Sequence, residues 1–152
     1  MGTTDREDDE MAGFSSSGPT AVDFDAKPDL AAPGVATVSL AVPGSTLYQT
    51  KVGNLLAGTI GTAYMPYLAL SGTSMAAPVV SGTVALMFEA NPSLTPNLVK
   101  AILQYTAEQR PGYSALRQGA GFLNTYGAVQ MARFFAKARF CLRICTLRRA
   151  RR

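Results

Sequence analysis

The sequence predicts a globular fold of mixed strands and helices, and three observations predict it. Nearly half of the 152 residues (47%) are hydrophobic, the content of a chain that buries a core. The apolar, β-branched run Val35 to Val42 has Pro-Gly on both sides and reads as a strand. From about Ser74 to Ala90 the apolar residues, among them Met75, Val79, Val80, Val84, Met87 and Phe88, go all the way round a helix instead of forming one stripe. That pattern predicts a helix buried on all sides.

Taken in order, residues 1–11 are acidic and polar. They read as a surface loop, without the basic start and apolar centre of a secretory signal. Phe14 to Pro19 is a turn-rich crossing broken by Gly18-Pro19. Asp23, Asp25 and Asp29 cluster before Pro33-Gly34, but their spacing fits no calcium loop, so they read as a solvated acidic loop. Leu30 to Ala32, between Pro28 and Pro33, is a short extended piece. After the Val35–Val42 strand, Pro43-Gly-Ser45 turns the chain, and residues 46–69 predict one or two strands with a glycine-rich loop at Gly58 to Gly61. The whole stretch Val52 to Phe88 lacks charge. Pro66, Pro78 and frequent Gly, Ser and Thr break it, so no run of about 20 predominantly apolar residues emerges to span a membrane.

Beyond the long helix, Asn91-Pro-Ser93 closes one element and Thr95-Pro96 opens the next, with Thr as N-cap and Pro in the first turn. Leu94 and Val99 have the spacing of a hydrophobic staple. Leu98, Val99, Ile102 and Leu103 give that helix one apolar face. Pro111-Gly112 stops the chain, Tyr113 to Leu123 reads as a hairpin around Gly119-Ala-Gly121, and Asn124 caps a last helix through about Ala132.

Charge divides the chain unevenly. Residues 1–132 hold six Lys/Arg and ten Asp/Glu, whereas 133–152 hold eight Lys/Arg and no acid. In the tail, Phe134, Phe135, Phe140, Leu142 and Ile144 interleave with the basic residues. Such a segment suits an acidic membrane surface or nucleic acid phosphates. Without compact periodicity it reads first as a solvated, disordered extension, and no specific nucleic acid is predicted. Cys141 and Cys145, the two cysteines, both lie there with no His near, too few ligands for a zinc site.

A hydroxyl on the first turn of an apolar helix occupies a chemically useful position. The first N–H groups have no helical partner and the dipole there favours negative charge, so an anion forming beside Ser74 would be stabilised. Equally, Ser74 or Thr73 reads as an ordinary N-cap.

The surrounding string decides between these. Gly72-Thr-Ser-Met-Ala-Ala-Pro78 closely resembles the nucleophile motif of the subtilisin-like serine proteases, the subtilases: Gly-Thr-Ser-Met-Ala-x-Pro. Ala12-Gly-Phe-Ser-Ser-Ser-Gly-Pro19 resembles the family's Phe-Ser-Ser-x-Gly-Pro. Lys27-Pro-Asp-Leu-Ala-Ala-Pro-Gly34 resembles Lys-Pro-Asp-x-x-Ala-Pro-Gly, and Gly119-Ala-Gly-Phe-Leu-Asn124 resembles Gly-x-Gly-x-x-Asn. The four occur in the family's order and match the C-terminal part of the catalytic domain.

The resemblance implies an α/β class and a partial subtilisin-like fold, a parallel sheet with flanking helices and a buried nucleophile helix, with the N-terminal half missing. Residues 1–132 would form that portion of the catalytic domain and 133–152 a basic tail. It implies a serine endopeptidase acting on polypeptides, Ser74 as nucleophile, Thr73 supporting the oxyanion, and no cofactor or metal. Family members are often secreted. The family's triad runs Asp, His, Ser along the chain, yet this sequence contains no His, and Asn54 sits in no matching string. The isolated chain is therefore expected to be inactive and to need a separate Asp- and His-bearing portion. The other readings are one half of a split protease, or a non-catalytic interaction module whose basic tail binds membrane or nucleic acid.

Overall fold

In the computed structural model the described residues are 8–136. They form two compact units, residues 8–15 with 33–77, and residues 16–32 with 78–136.

The first unit is built on three strands, β1 (Thr37–Leu40), β2 (Leu55–Leu56) and β3 (Tyr67–Leu70), in the order β1-β3-β2. Both pairings are antiparallel: Thr37 faces Leu70, Leu40 faces Tyr67, and Leu55 faces Leu68. Because side chains alternate across a strand, Leu68 is buried with Leu55 and Leu70 on its face. Val38, Leu40, Leu56 and Tyr67 share the opposite, exposed face. Between the strands lies a helix absent from the sequence expectation, α1 (Thr46–Thr50), capped by Ser45, whose hydroxyl accepts from Tyr48 N at 3.2 Å. Asn54 ends the short 3₁₀ turn after it and donates through Nδ2 to the Ala69 carbonyl at 2.9 Å. That is a structural duty, in keeping with its place outside any motif.

The mixed strands and helices of the expected partial α/β fold are present, while the three described strands pair antiparallel and are not its parallel sheet. A parallel pair needs a crossover of a dozen or more residues, and the ten-residue return from β2 to β3 suits an antiparallel one. The only parallel pairing among the described residues is a single bridge, Ala31 to Phe122.

The long helix α2 runs from Thr73 to Ala90, close to the expected bounds, and its last thirteen residues belong to the second unit. It is not buried all round. Only Thr83 and Met87 are buried, while Leu86 is 52% exposed. Within the second unit the helix packs one side against the core cluster, and no described segment of that unit covers the rest. By length and composition α2 is the one helix among the described residues that could cross a membrane.

The second unit's core joins Met87, Leu94, Val99, Ile102, Leu103, Leu123, Ala128 and Ala132. Helix α3 (Pro96–Thr106) begins as the sequence predicts: Thr95 accepts from Leu98 N, Pro96 stands in the first turn, and Val99, Ile102 and Leu103 are its buried face. Leu94 and Val99, the staple pair, both enter the core. Helix α5, residues 125–136, is capped by Asn124, whose Oδ1 accepts from Gly127 N at 2.8 Å. Residues 133–136 are thus helical, and the remaining tail, 137–152 with both cysteines, lies outside the described residues.

The hairpin expected over Tyr113 to Leu123 is replaced by a short helix, α4 (Ala115–Gln118), and a strand-like stretch paired with distant segments. Ala31 N donates to the Gly121 carbonyl at 2.9 Å and Leu123 N to the Ala31 carbonyl at 2.8 Å, while Glu108 and Phe122 exchange two bonds of 2.8 Å. The buried Gln118 side chain closes the loop itself, accepting from Arg110 N and donating to the Arg110 and Tyr113 carbonyls. Gly119 is required here. Its φ is +64°, and a Cβ would lie 2.4 Å from the Pro28 carbonyl oxygen.

Asn91 is the polar hinge of this core. It is 2% exposed, donates to the Ala132 carbonyl at 3.1 Å and accepts from Ser93 N and Oγ. Asn91→Ala leaves that buried carbonyl without its donor, so unfolding by urea should show a loss of about 1–3 kcal/mol. An unchanged midpoint would mean that water replaces the amide.

Candidate active site

The site grows from the approach of two chain segments inside the first unit. The Gly72 N–H donates to the Gly34 carbonyl at 2.8 Å, and the Gly72 carbonyl accepts from Met75 N at 2.9 Å and Ala76 N at 3.3 Å. Ser71 Oγ accepts from Ala36 N at 2.9 Å, fixing a residue held at a φ of +51°. Gly34 makes the approach possible. A Cβ there would stand 2.7 Å from the Gly72 oxygen and 3.1 Å from Ala76 Cβ. The loop before α2 is therefore pinned on both sides, and Thr73 and Ser74 stand exposed on the first turn.

This turn is equipped for anion stabilisation. The Thr73 and Ser74 N–H groups precede the first helical bonds, and the dipole adds positive potential. Four residues on, Pro78 lies inside the helix and has no N–H to give the Ser74 carbonyl.

The Lys27 to Gly34 string meets the other three: a Cβ on Gly18 would stand 2.3 Å from the Lys27 carbonyl oxygen, and the remaining two contacts are hydrogen bonds. Pro33-Gly34 meets Ser71-Gly72 in one unit. In the other, Asp29 to Ala31 pair with Gly119 to Leu123, and Gly18 N donates to the Leu116 carbonyl at 2.8 Å. Sequence reasoning missed the supporting roles of Gly34, Ala36 and Ser71. The Pro33-Gly34 string marked one of them, but nothing local shows that it touches Gly72.

The acidic cluster is an ion-pair and loop network. Asp29 bridges Lys100 at 2.8 Å and Lys27 at 3.0 Å, which commits Lys100. Asp23 accepts from the Thr20 hydroxyl, a bond that lowers its carboxyl pKa. Among the described residues no group of three or more His, Cys, Asp or Glu gathers to hold a metal.

Lys100, and then Lys27, hold the Asp29 carboxyl below the usual carboxylate range. A depressed folded value means the contribution is whole above the unfolded value of about 3.9 and is lost as pH falls through the folded one. The side chains are 39–55% exposed, so screening limits the effect to about 1 kcal/mol or less. Asp29→Asn should be less stable than the parent at pH 7, and the gap should close as acid titrates the Asp29 carboxyl through its lowered folded value. A gap that persists in acid would assign the loss to packing.

The model of the subtilase family matches residues 1–128. The chain belongs to the subtilases. It is 36% identical over 127 residues to the serine protease AprX of Bacillus subtilis, a match covering 84% of this chain and 27% of AprX. An extracellular protease of Xanthomonas campestris is 38% identical over 96 residues, 62% of this chain and 16% of its own. Among solved structures, this subtilase chain resembles the CspB protease of Clostridium perfringens with a TM-score of 0.56 and 27% identity over 80% of the chain and 23% of CspB. It resembles fervidolysin of Fervidobacterium pennivorans, a keratinolytic enzyme, with a TM-score of 0.52 and 29% identity over 72% of the chain and 16% of fervidolysin. The subtilase chain thus spans about a quarter or less of each of these proteins.

Proposed function

We propose that Ser74 is the nucleophile of a serine endopeptidase acting on polypeptides, and that the Asp and His completing its triad lie outside these 152 residues. The observation that carries this reading is the exposed Ser74 on a helix turn pinned by Gly34 and Gly72, within the full Gly-Thr-Ser-Met-Ala-x-Pro string. Ser74 Oγ attacks the scissile carbonyl, a base from the completing portion takes its proton, and an acyl-enzyme forms before water releases it. The Ser74 N–H and the Thr73 hydroxyl face the developing oxyanion. With no His in the sequence, the chain by itself does not hydrolyse peptides.

Labelling with a fluorophosphonate, read by intact mass, tests both halves. Such a reagent reports an activated serine. The chain alone should stay unlabelled, and the chain co-expressed with an Asp- and His-bearing subtilase portion should label once, but not as Ser74→Ala. Ser74-dependent labelling of the chain alone would overturn its incompleteness. Labelling that survives Ser74→Ala would overturn the assignment of the nucleophile.

A further inference from the structure

Where the sheet of the first unit runs out toward Ser74, its register changes by one residue. Thr37 faces Leu70, so in the same register Ala36 would face Ser71 and Val35 would face Gly72. The Gly72 N–H instead reaches the Gly34 carbonyl at 2.8 Å. The Gly34 to Ala36 side therefore carries one residue more than the Ser71-Gly72 side, which makes a β-bulge. Ala36 takes up the extra length at a φ of +51°, and its N–H goes to Ser71 Oγ at 2.9 Å. We propose that Ser71 is a positioning residue for Ser74: its hydroxyl holds the Val35-Ala36 bulge in the register that aims the nucleophile turn. The inference rests on the reading of Ser74 as the nucleophile.

A left-handed φ is unfavourable for a residue with a Cβ and persists only where its neighbours hold it. Ala36 and Ser71 are both exposed, so packing does little of that holding, and the Ser71 hydroxyl is the polar contact that ties Ala36 across the gap. The slip in register also decides what Gly72 does. Its N–H is committed to Gly34, and its carbonyl to Met75 N and Ala76 N, the first bonds of the turn that carries Ser74. A bulge relaxed to the plain register would bring the Gly72 N–H opposite Val35 and carry that turn with it. One residue of strand is about 3.3 Å, well beyond the misplacement of about 1 Å that already disturbs a reacting group. Bulges recur beside active sites because they re-aim a side chain in this way.

Two measurements test this. In the 152-residue chain, the Ala36 amide, followed by NMR hydrogen exchange, should exchange about tenfold faster in Ser71→Ala than in the parent. Ser71→Thr keeps the hydroxyl and should keep the protection. In the protease completed by an Asp- and His-bearing portion, Ser71→Ala should lower kcat about tenfold with KM little changed, and Ser71→Thr should recover most of the loss. Ala36→Gly makes the left-handed φ easy, so in that background Ser71→Ala should cost about threefold or less. A serine that only stabilised the fold would lower the fraction of active enzyme and leave kcat per titrated active site as it was. That result in Ser71→Ala would overturn the proposal. So would a loss that Ser71→Thr repeats in full, or an Ala36 amide that exchanges equally in parent and Ser71→Ala. A completed protease without activity, or one that keeps its activity in Ser74→Ala, would overturn the reading of the nucleophile and this role with it.

Discussion

On the proposed function, Ser74→Ala should lower kcat by about 10⁶-fold once an Asp- and His-bearing portion completes the site, with KM little changed. The magnitude is the one measured for the nucleophilic serine of subtilisin, a member of the same family. Its size follows from the triad acting as a unit: without the hydroxyl, base and orienting carboxylate have nothing to activate. What survives is catalysis by oxyanion donors and binding alone, some 10³–10⁴ over water. Steady-state kinetics on a fluorogenic peptide, with active sites titrated in the parent, measures the ratio. A loss of less than 10²-fold would place the nucleophile elsewhere.

Gly34→Ala in the same assembled enzyme should cost about 10²-fold in kcat/KM, the price of moving a reacting group by about an ångström. The added Cβ meets the Gly72 oxygen at 2.7 Å. That oxygen anchors the first turn through Met75 N and Ala76 N, so the turn that carries Ser74 must shift to make room. The control is Gly82→Ala within α2, where a Cβ meets nothing within 4 Å and the substitution should stabilise by up to about 1 kcal/mol. Equal activity of the two variants would show that the contact with Gly34 does not position Ser74.

What could be read from the sequence was local or repeated in a family string. Thr95-Pro96 announced α3, Asn124 announced α5, and the string around Ser74 announced both a helix and a chemistry. What could not be read depends on distant partners. Helix α1 has five residues, too short for a periodic signal, and its cap, Ser45, read as part of a turn. The Tyr113–Leu123 stretch carried hairpin glycines, but those glycines serve a close crossing with Pro28 and Glu108, ninety-one and thirteen residues away for Gly119 and Gly121. The all-round apolar pattern of α2 correctly gave a helix, yet not its surroundings. Composition states what a helix can bury and is silent on what arrives to cover it.

The pairing of Ala31 with Gly121 and Leu123 also sets a schedule. Residues 16–32 emerge from the ribosome roughly ninety residues before the strand that receives them. At about 5–20 residues per second, they wait on the order of 5–20 s with Leu30 and Ala31 unmatched. The first unit, whose sheet partners all lie between Thr37 and Leu70, is free to assemble during that interval. Synthesis thus delivers the pinned Ser71-Gly72 turn before the second unit can close.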